Sequence, residues 1–320
     1  MPLLFDMSWE DLQSYSGSTP RPHDFDDFWK KGLMDMESIN PKVKYVNSPF
    51  NPSFADCFDM YFTGVGGARI HAKLIRPKGV TDPHPAVLIF HGYTGNSGAW
   101  VDKLGYVAAG FTVIALDCRG QGGLSEDVGT VKGTTMSGQI IRGLDDSPEK
   151  LLFRQIFLDT AQLGKIVMDM PDIDESRIGV TGASQGGGLA LACASLVPNI
   201  KLVAPIFPFL SDYKRVWQID QARDAYLELQ EYFRHFDPTH EREDEVFTRL
   251  GYIDVQNLTS RIKGRVMMGV GLMDTICPPS TQFAAYNKIQ SEKEVIVYPD
   301  FGHETLPGHS DAVFTFMSGL

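Results

Sequence analysis

An α/β architecture, a mostly parallel sheet with helices on both faces, is what this sequence of 320 residues predicts. Short, nearly continuous apolar runs recur from residue 85 onward: "PAVLIFHG" (85–92), "FTVIALDC" (111–118), "RIGVTGAS" (177–184), "LVAPIFP" (202–208), "RVMMGVGLMD" (265–274) and "EVIVYPD" (294–300). Runs without polar alternation are the mark of strands buried on both faces. Helical stretches such as "FLDTAQLGKIVMDM" and "PPSTQFAAYNKIQ" separate most of them, and strand–helix alternation builds a parallel sheet with helices on either side. The composition, 43% apolar and 22% charged, is that of a globular chain with ample core.

Taken in order, the chain opens with helical material. In "HDFDDFWKKGLMDM" (23–36), Phe25, Phe28, Trp29, Leu33 and Met36 fall at helical spacing, so about 1–55 reads as an N-terminal helical extension. Next, "CFDMYFTGVGGARIHAKLIRPKG" (57–79) reads as two strands around a Gly-rich turn. The alternation of strand and helix follows, interrupted twice. Residues 119–150 form a long polar, Gly-rich excursion, and such a loop in a compact domain is usually functional or an interface element. Residues 211–260 add helices ("QARDAYLELQEYFRHF", "EDEVFTRLGY") between two core strands, as a lid over the sheet would. No internal repeat is present, and a single α/β domain over 1–320 is the economical reading.

Charge and cysteine usage narrow the function classes. A net charge of −11 argues against a nucleic-acid partner, which needs clustered Lys and Arg. The N-terminal "MPLLFDMSWEDL" has no basic segment and its apolar run is broken by Asp6, so no signal peptide is expected. The apolar runs are too short to span a bilayer, and no membrane partner is expected. Cys57, Cys118, Cys193 and Cys277 are scattered with no metal-ligand spacing. Reduced thiols of a cytoplasmic protein are the favoured reading, with a disulfide as the alternative, and Cys118 and Cys193 read as small buried hydrophobes.

The chemistry concentrates at Gly182-Ala183-Ser184-Gln185-Gly186, which fits the G-x-S-x-G nucleophile elbow. Gly182 and Gly186 leave room for the sharp turn that lifts a serine hydroxyl clear of the sheet, with "RIGVT" as strand before it and "GGGLALACASL" as helix after it. Gly187 and Gly188 let that helix pack close to the sheet. A plain Gly-rich turn closing a βα unit would need no serine here.

A serine nucleophile needs a base, and the base needs an orienting carboxylate. The chain order in hydrolases of this kind is serine, acid, histidine. His303, in "VYPDFGHE" just past the last strand, lies at the carboxyl edge of the sheet, where such sites form. His235 and His240 fall in the helical insertion and read as solvated or interface residues, and His309, just before the final helix, reads as a cap. Asp274 ends "RVMMGVGLMD" and is the expected acid; its alternative is a turn or capping aspartate. Asp300 also ends a strand, but it shares a loop with His303 three residues away and is the poorer choice. The tetrahedral oxyanion needs two preorganised donors, expected from the backbone N–H of Gln185 and of Tyr93, in the loop "FHGYTGNSG" after an early strand. His91 precedes the nucleophile, the wrong order for a base, and reads as a brace for that loop.

"RGQ" at Arg119-Gly120-Gln121, "GASQG" at 182–186 and "HE" at His303-Glu304, each at a strand end, together resemble carbohydrate esterase family seven, the acetyl xylan esterases also called cephalosporin C deacetylases. "HGYTGN", "PFLSDYKR", "GLMDTICPPSTQFAAYN" and "DFDDFW" resemble the same family, so the likeness covers nearly the whole chain. The resemblance implies the α/β-hydrolase fold, Ser184 as nucleophile, His303 as base and Asp274 as acid. It also implies an oxyanion hole from the Tyr93 and Gln185 amides, and Arg119 bracing the nucleophile loop. It further implies acetyl esters of sugars and cephalosporin C as substrates, no metal or organic cofactor, and a ring-like homohexamer with the excursion at 119–150 as an interface element. One departure stands out: where the family carries a Pro-Tyr step near the pocket, this chain has Ala225-Tyr226, which opens the acyl site to a change of shape.

Two rivals remain. Another serine hydrolase of the same fold (a dienelactone hydrolase, an acyl-peptide hydrolase or a general carboxylesterase) is disfavoured by the "RGQ" and "HE" motifs. A non-catalytic binding protein of this shape is disfavoured because serine, acid and histidine are all kept.

Overall fold

The computed structural model describes residues 5–131 and 138–320. Its strands are β1 (Lys44–Asn47), β2 (Ala55–Thr63), β3 (Arg69–Pro77), β4 (His84–Phe90), β5 (Thr112–Leu116), β6 (Ile173–Ala183), β7 (Leu202–Ile206), β8 (Arg265–Gly271) and β9 (Lys293–Tyr298). The α-helices are α1 (Trp9–Ser14), α2 (Phe25–Glu37), α3 (Leu104–Ala108), α4 (Leu152–Met168), α5 (Gln185–Leu196), α6 (Tyr213–Gln218), α7 (Leu227–Phe236), α8 (Glu243–Leu250), α9 (Pro279–Lys288) and α10 (His309–Met317).

Every strand expected from the apolar runs is present, and all nine join one sheet in the order β1-β2-β3-β5-β4-β6-β7-β8-β9. From β5 across to β9 the neighbours pair parallel. β1, β2 and β3 pair antiparallel, as does β3 with β5. This mixed sheet, with a helix following most of the parallel strands, is the α/β-hydrolase arrangement.

One element departs from the reading of about 1–55 as a helical extension: β1 is a strand within it. α1 is a short helix, in keeping with that reading, whose N-cap Ser8 accepts the Asp11 amide at 3.1 Å. All four β1 residues are exposed, so no buried alternation marked the strand in the sequence. The extension docks through α2: Trp29 stacks on Phe157 of α4 with ring centroids 5.9 Å apart and donates its indole N–H to Tyr252 O at 3.0 Å. Within the excursion at 119–150, residues 132–137 lie outside the described residues, and the described part holds only a 3-10 turn at Pro148–Lys150.

α5 is apolar all round, and every one of its residues is buried, as such helices must be. It packs on β4, β6 and β7 and is covered by α4. Chain order reverses across β4, which has β5 on one side and β6 on the other. Crevices at such switch points, beyond the carboxyl ends of the strands, are where α/β sheets place their ligands. Register sets the heights: Phe90 of β4 pairs with Gly182 of β6, Ala183 with Ile206 of β7, Ile206 with Gly269 of β8, and Gly271 with Tyr298 of β9. Tyr93, Ser184, Asp274 and His303 each follow within a few residues of those pairs, so the sheet delivers all four to one edge.

Candidate active site

Ser184 sits at φ 57, ψ −120 between β6 and α5, a conformation costing about 1–3 kcal/mol for a residue other than glycine. The surroundings hold it there. Its amide donates to Ile206 O at 2.9 Å, and its carbonyl accepts from Gly188 N at 3.1 Å and Phe209 N at 3.0 Å. The flanking glycines are there for space: a Cβ at Gly186 would lie 2.1 Å from Phe90 O, and one at Gly182 2.5 Å from the same oxygen. The elbow therefore rests directly on the end of β4.

Asp274 is fully buried. Its Oδ1 accepts from the Ile276 amide at 2.9 Å and the Cys277 amide at 2.8 Å, and its Oδ2 pairs with His303 Nδ1 at 2.8 Å. Gln282 adds a longer donor to Oδ2 at 3.4 Å. A carboxylate so held fixes the proton of a neutral imidazole on Nδ1 and turns Nε2 outward. Phe207 covers that imidazole, its ring centroid 4.5 Å away, and Glu304 folds back to accept the Gly302 amide at 3.1 Å, steadying the loop. Asp300 is exposed and lies outside this network.

Ser184 meets the pair through Cys277: the buried thiol interacts with the serine side chain and lies within 4.8 Å of ligand atoms of both Asp274 and His303. Burial, followed by the nearby Asp274 charge, pushes the thiol pKa well up, so it stays protonated. Asp274, Cys277 and His303 are the one group among the described residues spaced to hold a metal. Both carboxylate oxygens are already engaged by amides and imidazole, which suits an acid–base pair. Among the described residues Ser184 and His303 make no direct hydrogen bond; such bonds are often long before substrate binds.

The Tyr93 amide donates to no protein acceptor among the described residues, and the Gln185 amide is a first-turn donor of α5, which no intrahelical carbonyl can satisfy. The Gln185 side chain is locked by a reciprocal amide pair with Gln121, at 2.8 and 3.0 Å. His91 braces the Tyr93 loop, its Nδ1 on Gly92 O at 2.7 Å and its Nε2 accepting the Cys118 amide at 3.0 Å. Burial pushes its pKa down, which keeps it neutral in that role.

Two expectations need correcting. Arg119 does not brace the nucleophile loop: its buried guanidinium grips Asp159 of α4 bidentately at 2.7 and 2.6 Å and Val65 O at 3.1 Å. A buried cation takes the nearest buried carboxylate, and the brace on the elbow is Gln121. His309 is no cap. The N-cap of α10 is Gly308, and the His309 ring is buried where a Cβ on Gly269 would lie 2.3 Å from its Nε2. His235 and His240 are exposed, as expected.

Sequence reasoning missed Asp159, Phe207 and Glu228. Glu228 of α7 is 4% exposed and accepts the Tyr93 hydroxyl. A signal existed: 228, 229, 232, 233 and 236 form one helical stripe, so this glutamate shares the apolar face of Leu229, Tyr232 and Phe233. The Ala225 departure also acquires a physical meaning. Asp224 has φ 47, and a residue preceding proline is driven toward extended backbone, so the turn into α7 depends on the proline's absence.

A model of the acetyl xylan esterase family matches residues 1–320. The crystal structure of acetyl xylan esterase 1 from Thermoanaerobacterium sp. JW/SL YS485 is 60% identical, covers 98% of this chain and 99% of its own, and has a TM-score of 0.97. An acetyl xylan esterase from Paenibacillus sp. R4 is 36% identical over 98% of this chain and 99% of its own, with a TM-score of 0.93. Acetyl esterase Axe7A of Xylanibacter ruminicola is 27% identical over 301 residues, 90% of this chain, which spans 64% of that relative's length. Matched along its full length and superposable on two solved relatives over 98% of its residues, the chain belongs to the acetyl xylan esterase family of carboxylic ester hydrolases.

Proposed function

We propose that this chain is a serine esterase that removes acetyl groups from sugars, xylo-oligosaccharides first among them, and from cephalosporin C. The observation that carries the reading is the Asp274–His303 pair at 2.8 Å, set beside a strained serine at the head of a helix with open amides around it. His303 Nε2 takes the hydroxyl proton as Ser184 Oγ forms its bond to the acetyl carbon. Asp274 stabilises the imidazolium that results. The carbonyl oxygen becomes an oxyanion held by the Tyr93 and Gln185 amides, a kind of donor worth roughly 10²–10³-fold each. The carbon–oxygen bond to the sugar breaks as His303 returns the proton to the leaving alcohol. Water, deprotonated by the same imidazole, then releases acetate and restores Ser184. These residues supply every proton movement among themselves.

The family membership supports a homohexamer with the excursion at 119–150 in its interfaces, and light scattering tests it. Four unpaired, buried cysteines support a cytoplasmic location, which cell fractionation tests; among the described residues no helix is long and apolar enough to cross a membrane. The deciding experiment measures acetate release from acetylated xylo-oligosaccharides, cephalosporin C and p-nitrophenyl acetate. Ser184→Ala is expected to lower each rate by on the order of 10⁶-fold, as removal of a triad nucleophile does. Undiminished turnover in that variant overturns the reading.

A further inference from the structure

The loop that carries the Tyr93 amide is a poor candidate for standing still unaided. It is a tight turn closed by the Gly95 amide on Gly92 O at 3.1 Å, and Thr94 within it has φ 59, a left-handed conformation costly for a β-branched residue. His91 fixes the β4 side of this turn. The other fixation comes from far away in sequence. The Tyr93 hydroxyl donates to Glu228 Oε1 and accepts from the Gln139 amide at 3.2 Å, while Glu228 Oε2 accepts from the Ile141 amide at 3.0 Å. The Tyr93 ring also packs edge-on to Phe209, centroids 5.4 Å apart, and the Phe209 amide holds Ser184 O. The turn after β4, the far limb of the excursion and α7 therefore meet at one carboxyl group.

We infer that Glu228 is a positioning residue of the oxyanion hole: by anchoring the Tyr93 hydroxyl against α7 and residues 139–141, it holds the Tyr93 amide where the oxyanion develops. The inference rests on the esterase mechanism above. A carboxyl 4% exposed and paired with no cation among the described residues is an expensive group to bury. Burial pushes its pKa up to about 7. Its partners are one hydroxyl and backbone amides, all of them donors, so the acid is the acceptor that joins three segments that no backbone ladder connects among the described residues. Its place is 135 residues from Tyr93 in sequence, and among the described residues α7 contributes no other hydrogen bond to the turn. Oxyanion donors act only if they point at the position the oxygen takes in the transition state, so a small swing of the turn lowers turnover while leaving substrate binding alone.

The test uses three variants of the full chain: Tyr93→Phe, which keeps the amide and removes the hydroxyl; Glu228→Gln, which keeps the shape but offers one acceptor oxygen where two donors wait; and the double variant. Each is assayed for kcat and KM on p-nitrophenyl acetate, for inhibition by a trifluoromethyl ketone, and for endpoint labelling of Ser184 by a fluorophosphonate. Both single variants are expected to lose roughly 10-fold in kcat, a fraction of the 10²–10³-fold that loss of a donor gives, with KM unchanged and endpoint labelling complete. The ketone, which forms a tetrahedral adduct, should weaken in proportion to kcat/KM. The double variant should be no worse than the worse single one, because both changes break one interaction. Wild-type kcat in Tyr93→Phe, losses that multiply in the double variant, or an undiminished ketone affinity each overturn the inference. Should Glu228→Gln fail to fold, seen as lost endpoint labelling, Tyr93→Phe still decides by the same readouts. A wild-type chain that neither turns over nor labels would instead bring down the esterase reading itself.

Discussion

The ends of the parallel strands and the segments that cover them are built in opposite ways. At the strand ends, each chemical group lies a few residues beyond a register pair: Ser184 after β6, Asp274 after β8, His303 after β9. Position there is inherited from the ladder, and local contacts do the rest, such as the two amides on Asp274 Oδ1. The cover, made of the excursion at 119–150 and helices α6, α7 and α8, has no ladder among the described residues to inherit from. It is fixed by single polar groups that each collect several donors across long loops. Glu228 gathers Tyr93 and Ile141. Asp212, just before α6, accepts the Tyr15 hydroxyl at 2.8 Å and the amides and hydroxyls of Ser18 and Thr19. Chemistry sits on the stiff part, and its fine adjustment is hung on the part that is pinned at points.

If that division holds, the largest loss of turnover from a change that leaves the serine in place comes from the strand ends. Asp274→Asn keeps the shape but presents an amide to His303 Nδ1, which favours the wrong tautomer; a drop in kcat of about 10⁴-fold is expected, with KM little changed. Steady-state kinetics on p-nitrophenyl acetate measures it. A loss no greater than that of Glu228→Gln would erase the distinction between the two regions.

The same division decides what the sequence could show. The elbow was legible because its glycines are required by contacts as close as 2.1 Å to a neighbouring strand, and such steric demands write themselves into a short local pattern. Asp274 and His303 were legible because strand ends can be located from apolar runs. Arg119, Asp159 and Glu228 were misplaced or missed for the converse reason. Each answers to a partner 40 or more positions away, and a charged residue in an amphipathic helix reads as solvent-facing unless its stripe is traced. β1 was missed because four exposed residues at the sheet edge carry no buried face to alternate with.

The next largest effect concerns stability and tests the reassignment of Arg119. Burial pushes the Asp159 carboxyl up even with the Arg119 guanidinium beside it, so removing the cation alone would strand a buried carboxyl. Arg119→Met is expected to destabilise the fold by about 3–5 kcal/mol, and adding Asp159→Leu to recover most of that loss, both read from urea midpoints. If Arg119→Met instead lowers kcat with the midpoint unmoved, the arginine acts on the nucleophile loop after all.

The smallest effect probes the hinge of the cover. Asp224 turns through φ 47 immediately before Ala225, in the 3-10 turn that leads into α7. A proline at 225 would crowd the backbone of residue 224 and drive it to extended conformations, so Ala225→Pro must either strain that turn or re-aim the first residues of α7. Because Tyr226 packs on Phe209, centroids 4.4 Å apart, and Glu228 lies two positions further on, either response reaches the wall beside Ser184 through the cover and leaves Asp274 and His303 untouched. The expected outcome is a loss of about 1–3 kcal/mol in stability, together with a changed ratio of kcat/KM between p-nitrophenyl acetate and p-nitrophenyl butyrate. A proline variant as stable as the parent and with the same acyl ratio would mean that the hinge at Asp224 has no hold on the site, and that α7 acts on it through Glu228 without help from the turn before it.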